Sequence, residues 1–482
     1  MTVKIRCLDE PLLMFKGKGE AFHPQFGLRK FGPRGRSDLD SNENDTPVEI
    51  RVGIVGSEQS IQDVKGFLNQ LNSLIPANPK RPIFYSFPGL GTKNPLNFSI
   101  TTNEDWLFEI PSEKISECKE GTVEQRSRTA IQLFVDQFER VGTSIEPPPD
   151  VVICAIPDSI LNYCKRPGRK LPMIRVADRT ENFRDADIFD FHNYLKIIAM
   201  KYPFFTQFVK PTTLNLTSTA KTLQEPSERA WNFTMALYYK ATNIPWKLAH
   251  FSKGTCYVGI SFIRIFIERE ASVQATMTQV FLKSGDHFVL RGKPFQWDKK
   301  KGRSPHLDKK QASEILKQAI DVYKDQKHNL PNRIVIHKSS YFSDEEKEGF
   351  ELAAKGIPEQ DFLSVSSTDL RLIRFGNYPV IRGTLLSTNK EHFLFTTGYT
   401  PILRTYPGPR IPRPLRIISD CPDANIVQIC SEILALSKMD WNKTAVATRL
   451  PVTLEISRRI GSILAEPISQ DIKPLQAYRY YM

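Results

Sequence analysis

The chain has 482 residues, of which 40% are hydrophobic and 10% aromatic, and this composition excludes an intrinsically disordered protein. Its 66 lysines and arginines outnumber its 53 aspartates and glutamates, which gives a formal net charge of +13. An excess of this size favours a polyanionic partner, most often nucleic acid. The length predicts two or three domains.

Neither a membrane segment nor a disulfide framework is indicated. No run of 18 uninterrupted apolar residues occurs, and the charged Lys4 and Arg6 stand where a signal peptide needs an apolar stretch. The seven cysteines include no Cys-x-x-Cys pair and are odd in number, which is typical of reduced thiols. We therefore expect a cytoplasmic protein that has no membrane partner.

The first half of the chain alternates strand-like and helix-like patterns. The run Glu49–Val55 predicts a strand, which a tight turn connects to a helix that reaches Leu71. Further strands are predicted at Ile83–Ser86 and Val151–Ile156, and they flank a helix over about 126–141. Strands that alternate with helices predict an α/β fold with a parallel sheet.

Two polar stretches predict domain boundaries, one at 34–47 and one between Pro211 and Arg229. They divide the chain into an N-terminal extension over 1–46, a first domain over 47–225 and a second domain over 226–482.

The second domain has a different order of elements. Three strand-like runs follow one another at Thr255–Ile267, Val273–Leu282 and Asp286–Gly292. A helix from Asp308, its predicted N-cap, to Lys324 comes next, followed by a buried strand at Arg333–His337. A three-stranded meander followed by a helix and a strand is the opening order of the RNase H fold.

Four polar residues of the chain suit a terminal phosphate. His192 and Lys196 are four residues apart and share one helix face, Gln207 opens a strand-like run, and Lys240 ends an amphipathic helix. Lysines supply charge, an amide supplies a directional donor, and an imidazole can donate or stack beneath a base. The alternative is that both lysines are ordinary solvated helix residues.

The types and spacing of these four residues resemble those of the residues that form the 5′-phosphate pocket in the MID domain of Argonaute proteins. Other segments resemble the same family, and in chain order they are Glu10-Pro-Leu-Leu-Met-Phe, Gly27-Leu28, Phe31-Gly32-Pro33, Met439-Asp-Trp-Asn-Lys and Leu450–Gly461. The resemblance extends from about Glu10 to Met482, and the length leaves room for MID and PIWI domains only. The chain is therefore similar to a short prokaryotic Argonaute.

This resemblance implies a Rossmann-like MID domain followed by an RNase H-like PIWI domain. It also implies that His192, Lys196, Gln207 and Lys240 hold the 5′-phosphate of a small guide. In this family the C-terminal carboxylate, here that of Met482, acts with the glutamine to bind Mg²⁺ at the phosphate. Magnesium favours a few oxygen ligands shared with phosphate.

The acidic residues that PIWI nucleases use to hold two metal ions are missing. Ser261 follows Gly259-Ile260 where the family has its first aspartate, and Ser339 stands at a second such position. Residues 271–313 contain no glutamate, and only arginine is available near Arg458. Since serine and arginine cannot offset the charge of a divalent cation, we expect a PIWI domain that does not cut.

Two alternatives stay open, a PIWI-type endonuclease with a rearranged metal site and a guide-free DNA-binding or structural protein.

Other charged segments have simpler interpretations or different roles. The acids Asp344-Glu345-Glu346 could rebuild a metal site, but their pattern predicts the exposed first turn of a helix capped by Ser343. Basic runs at 299–303 and 404–416 are candidates for contacts with backbone phosphates.

The resemblance also implies partners. The chain would bind a small guide, preferably RNA, and a complementary target, preferably single-stranded DNA, as the recognition subunit of an immune system against plasmids and phages. Target binding would activate a protein that carries an APAZ region and an effector domain. The effector is expected to be of the TIR or sirtuin-like type that consumes NAD⁺, or a nuclease.

Overall fold

The structure of the protein is a computed structural model. It describes residues 3–482 except 36–37, 39–47, 92, 145, 165–189, 218–222, 243, 251–253, 268–269, 281–286, 297–303, 374, 377–378, 407–410, 422 and 467–474. The basic run predicted at 299–303 thus lies outside the described residues.

The first half of the chain forms a parallel sheet between two layers of helices. Its strands are β4 (Val48–Gly56), β5 (Phe98–Thr101), β6 (Leu107–Glu109), β7 (Val151–Ala155) and β8 (Phe205–Val209). Its helices are α2 (Glu58–Gln70), α3 (Ser112–Glu117), α4 (Val123–Ser144), α5 (Asp158–Tyr163), α6 (Phe191–Ala199), α7 (Pro211–Leu214) and α8 (Pro226–Ala241). The strand order is β5-β4-β7-β8, with β6 also paired to β4, and every pair is parallel.

The second half of the chain forms a mixed sheet of nine strands. Eight of them are β10 (Thr255–Ile267), β11 (Glu270–Val280), β12 (His287–Arg291), β13 (Arg333–Lys338), β14 (Glu359–Ser367), β15 (Thr384–Ser387), β16 (His392–Leu394) and β17 (Leu415–Ser419). The helices are α9 (Lys309–Lys327), α10 (Asp344–Ala353), α11 (Ile426–Leu436) and α12 (Val452–Leu464). Strands β10, β11 and β12 form an antiparallel meander and β13 pairs with β10 in parallel, which confirms the predicted RNase H-like order.

The N-terminal extension is built into the second sheet. It contains β1 (Lys4–Cys7), β2 (Leu13–Met14), β3 (Glu20–Ala21) and α1 (Pro24–Phe31). Strand β1 pairs with β15 as the ninth strand of that sheet, whereas β2 pairs with β3 and with β9 (Lys247–Leu248) in a separate three-stranded sheet. Glu10 ion-pairs with both Arg382 and Lys438, and the Lys438 ammonium also donates to the carbonyl of Phe22 at 2.7 Å. Buried ion pairs thus anchor the extension.

One continuous hydrophobic core reaches both sheets. It contains Ile54 and Ile153 of the parallel sheet, Val335 of the nine-stranded sheet, and Leu237 of α8. The domain boundary predicted at 225/226 falls just before α8 and stays a prediction. None of the helices in the described ranges has both the length and the apolar character that a bilayer-spanning helix needs.

The prediction of a strand at Ile83–Ser86 is wrong, because these residues form no strand in the structure. Prolines at 82 and 88 flank this run, and side chains satisfy its backbone in place of a neighbouring strand. The amide of Tyr85 donates to the Gln25 side chain at 2.9 Å, and the Trp231 indole donates to the Tyr85 carbonyl at 2.9 Å. β4 pairs with β7 on one side and with β5 and β6 on the other, and these last two strands are too short to show a clear alternating pattern.

Both predicted helix N-caps are confirmed, but one of the acidic residues in the first turn after Ser343 is buried and not exposed as predicted. Asp308 and Ser343 each form a capping box with the residue three positions on. Glu346 is completely buried, because its carboxylate accepts from Lys338 at 2.6 Å and contacts His306 at 2.9 Å. The first turn of α10 therefore also contributes a buried ion pair that joins it to the end of β13.

Candidate phosphate-binding site

Two helices and one strand of the first half of the chain carry the predicted phosphate ligands. Helix α6 starts at its N-cap Asp190, whose side chain accepts from the Asn193 amide, and carries Lys196 on its buried face. Strand β8 contributes Gln207 from the edge of the sheet, and α8 contributes Lys240 from its last turn. The structure thus brings three of the four residues, Lys196, Gln207 and Lys240, together.

The two ammonium groups meet at one backbone carbonyl. Lys196 donates to the Thr206 carbonyl at 2.9 Å and to the Thr206 hydroxyl at 3.2 Å. Lys240 donates to the same carbonyl at 3.0 Å and to the Gln207 amide oxygen at 2.6 Å. Sequence reasoning missed Thr206, and its only signal was its position next to Gln207.

Both lysines are buried. Lys196 is 1% exposed and Lys240 is fully buried, and in the described part of the chain no carboxylate pairs with either. Burial lowers the pKa of Lys196 to about 8, and burial together with the charge of Lys196 lowers the pKa of Lys240 well below its usual range. Since an uncompensated buried cation is costly, the pair favours an anion with several oxygen acceptors. The alternative of solvated helix lysines is wrong.

His192 occupies the rim of this site. Its ring is exposed and packs edge-on against Phe208, with the ring centroids 4.9 Å apart. The Lys196 ammonium lies 4.9 Å from the centroid of the same Phe208 ring, a favourable cation–π geometry. The imidazole is therefore placed to contact a group that enters from solvent, while Phe208, a residue that sequence reasoning missed, separates it from the lysine.

The C-terminal residues pack beside the lysine pair. The Tyr480 ring lies 4.6 Å from that of Phe205, and the Arg479 guanidinium donates to the Lys240 carbonyl at 3.4 Å. Met482 itself is half-buried against the core. Its carboxylate and the Gln207 amide are oxygen donors of the kind that Mg²⁺ prefers. They fit this ion only together with a phosphate, because two ammonium groups would repel a lone cation.

The titration of the lysines makes phosphate binding pH-dependent. A 5′-phosphate is fully ionised above pH 7, whereas the free protein loses the Lys196 proton near pH 8. Binding above that pH must take up a proton, so the affinity for a 5′-phosphorylated oligonucleotide should fall by up to about tenfold per pH unit. Fluorescence anisotropy between pH 7 and 9.5 measures this dependence. A 5′-hydroxyl oligonucleotide is the control, and equal slopes for the two would contradict the assignment.

The same titration has the opposite effect on stability. The folded pKa of Lys196, about 8, is below the ordinary value of 10.5, so burial of the charged form destabilises the fold below pH 8. Between these two values the unfolded chain binds more protons, and the free energy of unfolding of the ligand-free protein should rise with pH.

The second predicted site lies under helix α12. A Cβ added to Gly259 would be 2.3 Å from the Thr453 carbonyl, and one added to Gly461 would be 2.4 Å from the Ile263 side chain. Helix α12 therefore crosses β10 directly over Ser261, which faces it and is 4% exposed.

The other positions of that site lie close by. Gly259 pairs with His337 and Ile260 with Lys338, so Ser339 follows β13 next to Ser261. Arg458 lies half-buried on α12. No group of three or more His, Cys, Asp or Glu side chains able to hold a metal ion occurs among the described residues.

No protein-family model and no curated protein matches the chain by sequence. Solved structures of Argonaute and Piwi proteins match its fold. Clostridium butyricum Argonaute bound to a guide DNA and a 19-mer target DNA has a TM-score of 0.62 at 17% identity, over 97% of this chain and 54% of that chain. Drosophila Piwi has a TM-score of 0.57 at 12% identity, over 99% of this chain and 56% of that chain. Marinitoga piezophila Argonaute in complex with 5′ OH guide RNA has a TM-score of 0.55 at 13% identity, over 94% of this chain and 57% of that chain.

The chain thus spans about half the length of the structures that it matches. The matched half contains both the parallel sheet with its lysine pair and the nine-stranded sheet. The predicted order, a Rossmann-like domain followed by an RNase H-like domain, is the order found. The chain therefore has the α/β MID–PIWI fold of Argonaute proteins.

Proposed function

We propose that this protein binds a small nucleic-acid guide by its 5′-phosphate and uses the guide to recognise a complementary target. The observation that supports this most directly is the buried pair of Lys196 and Lys240, which has no carboxylate partner among the described residues and converges on one carbonyl. A terminal phosphate can replace the Thr206 carbonyl and the Gln207 amide as acceptor for both ammonium groups. His192 at the rim is placed to contact the first nucleotide.

Magnesium would complete this site. Bound together with the phosphate, Mg²⁺ would neutralise its remaining charge, with the Gln207 amide oxygen and the Met482 carboxylate as protein ligands. This proposal is supported by the hydrogen bond that Gln207 accepts from Lys240 at 2.6 Å, which keeps the amide oxygen beside the lysine pair.

We further propose that the bound target is not cut. Ser261, Ser339 and Arg458 occupy positions at which a nuclease of this fold needs acids, and none of them can offset the charge of a metal ion. Glu455, the acid nearest to Arg458 along the chain, lies 3.7 Å from Arg459, and the buried Asp440 contacts the same guanidinium at 2.9 Å.

Reconstitution with defined oligonucleotides tests these two roles. Protein loaded with a 5′-phosphorylated 20-mer, as RNA or as DNA, should retain a labelled complementary strand and release an unrelated one. The retained strand should stay intact in Mg²⁺ or Mn²⁺. Metal-dependent cleavage that disappears in the Asp440→Asn or Glu455→Gln variant would establish the alternative, a PIWI-type endonuclease with a rearranged metal site.

The cellular role that we propose is defence in the cytoplasm against plasmids and phages, with a second protein that acts as the effector. The partner in this proposal is an APAZ-containing protein with a TIR, sirtuin-like or nuclease domain. Co-expression with the product of the neighbouring reading frame tests this role. A stable heterodimer that consumes NAD⁺ or degrades nucleic acid only when guide and target are both present is the expected result, and a target-independent activity would contradict it.

A further inference from the structure

Residues from four separate segments come at or near the end of the nine-stranded sheet where β13 and β14 finish. Ser339 directly follows β13, and Arg371 follows β14. Arg413 precedes β17, whose first residue pairs with the last residue of β14. Arg449 precedes α12, and Arg458 lies on it. We call the four arginines 371, 413, 449 and 458 the arginine cluster.

Two members of the arginine cluster share one exposed acid. Arg371 lies 3.9 Å and Arg413 lies 3.4 Å from the same carboxylate oxygen of Asp369. The Asp369 side chain is 85% exposed. A carboxylate so well hydrated holds the two guanidinium groups weakly, and a phosphate can replace it.

The other members lie within range of these charges. Burial and then the charges of Arg413, Arg458 and Arg371 lower the pKa of Arg449, while Glu455 acts in the opposite direction. The Arg449 Nε atom is buried and has no hydrogen-bond partner among the described residues. Like charges held together with an unsatisfied donor are costly unless an anion binds there.

The floor beneath α12 is polar as well. Ser261 and Thr276 are cross-strand partners on β10 and β11, and both hydroxyl oxygens are buried without a hydrogen-bond partner in the described ranges. On the neighbouring strand the His337 Nδ1 atom lies 2.8 Å from the Thr453 hydroxyl, and its Nε2 atom is buried with no hydrogen-bond partner among the residues that the structure describes. This face therefore has hydroxyl and imidazole groups where a metal site needs carboxylates.

We propose that the arginine cluster is a metal-free clamp for backbone phosphates of the guide–target duplex, a role that rests on the guide-dependent binding proposed above. Carboxylates can contact a phosphate only through a metal ion, whereas a guanidinium group binds its oxygens directly and often in bidentate geometry. The change from acids to arginine and serine would thus convert a cutting site into a holding site.

Scanning the duplex with neutral linkages tests the clamp without changing the protein. Single methylphosphonate linkages are placed at each position of the target, and then of the guide, and target affinity is measured on guide-loaded protein. Removal of one phosphate that accepts from a guanidinium should weaken binding about tenfold or more. We expect the loss of affinity at one or two adjacent linkages of a single strand. The series of modified oligonucleotides that shows the loss, target or guide, identifies the strand that the arginine cluster contacts. An even profile on both strands would overturn the clamp.

Substitutions then connect the sensitive linkage to the arginine cluster. The half-exposed Arg371 and Arg413 are changed to Gln, which keeps a polar side chain, and in a second variant Arg449 and Arg458 are changed to Ala. Each double variant should bind the unmodified target about tenfold or more weakly, lose its sensitivity at that linkage, and show a salt slope smaller by about one to two. The Arg140→Ala variant, which changes an exposed residue of α4, is the control and should retain the wild-type profile.

Failure of the clamp can be separated from failure of the proposed function. Guide retention is measured first with a labelled guide, and it depends on the lysine pair. A protein that retains no guide contradicts the proposed function. A protein that retains guide and binds target, yet keeps its linkage sensitivity in both folded double variants, contradicts the clamp alone.

Discussion

Replacement of Lys196 and Lys240 by methionine should abolish the preference of this protein for 5′-phosphorylated over 5′-hydroxyl guides. Methionine keeps most of the side-chain volume and removes the charge, so the fold should survive and can become more stable. Each buried ammonium group that donates to a phosphate is worth about 1.5–3 kcal/mol. The double variant should therefore lose roughly two orders of magnitude or more in preference.

Competition between the two guides on the same preparation measures this preference. The matched control is Lys201→Met, because Lys201 is an exposed lysine just after α6, and it should leave the preference unchanged. One protein of this fold has been solved in complex with 5′ OH guide RNA. A wild-type protein that prefers the hydroxyl, or shows no preference, would refute the assignment of the lysine pair.

Gly259→Ala should cause the largest loss of stability among single glycine substitutions under α12. The added Cβ would lie 2.3 Å from the oxygen and 2.4 Å from the carbon of the Thr453 carbonyl, and neither backbone atom can rotate away. Helix α12 would have to lift from β10, at a cost of about 3 kcal/mol in the free energy of unfolding. Denaturant unfolding followed by circular dichroism measures the change.

Gly66→Ala is the matched control. Gly66 lies in the middle of α2, is exposed, and has no heavy atom within 4 Å of the added Cβ. Alanine has the higher helix propensity, so this variant should gain about 0.5–1 kcal/mol. Two variants of equal stability would show that α12 does not pack on β10 as closely as described.

Local patterns in the sequence were sufficient for the longest elements. The helix α4 has a helical period of buried positions, β10 begins with a continuous apolar run, and Asp308 and Ser343 have the side chains that cap a helix. Short strands such as β5 and β6 were not predictable, because three or four residues contain too little periodicity. The run Ile83–Ser86 has the composition of a strand, but distant side chains hold its backbone in another conformation.

The candidate sites divide in the same way. Residue type and spacing along one helix led to Lys196 and, with a family resemblance, to Gln207 and Lys240. The absence of acids at Ser261 and Ser339 is likewise a property of the sequence itself, since no packing can give a serine the charge of an aspartate.

Only the tertiary structure decided what surrounds those residues. It placed both lysines on one Thr206 carbonyl with no carboxylate partner in the described part of the chain, buried Glu346 against Lys338, and assembled the arginine cluster from segments nearly 90 residues apart. Periodicity and capping depend on neighbours within a few residues, and the sequence determined them. Burial and charge pairing depend on contacts between distant segments, which form only when the sheets and helices pack.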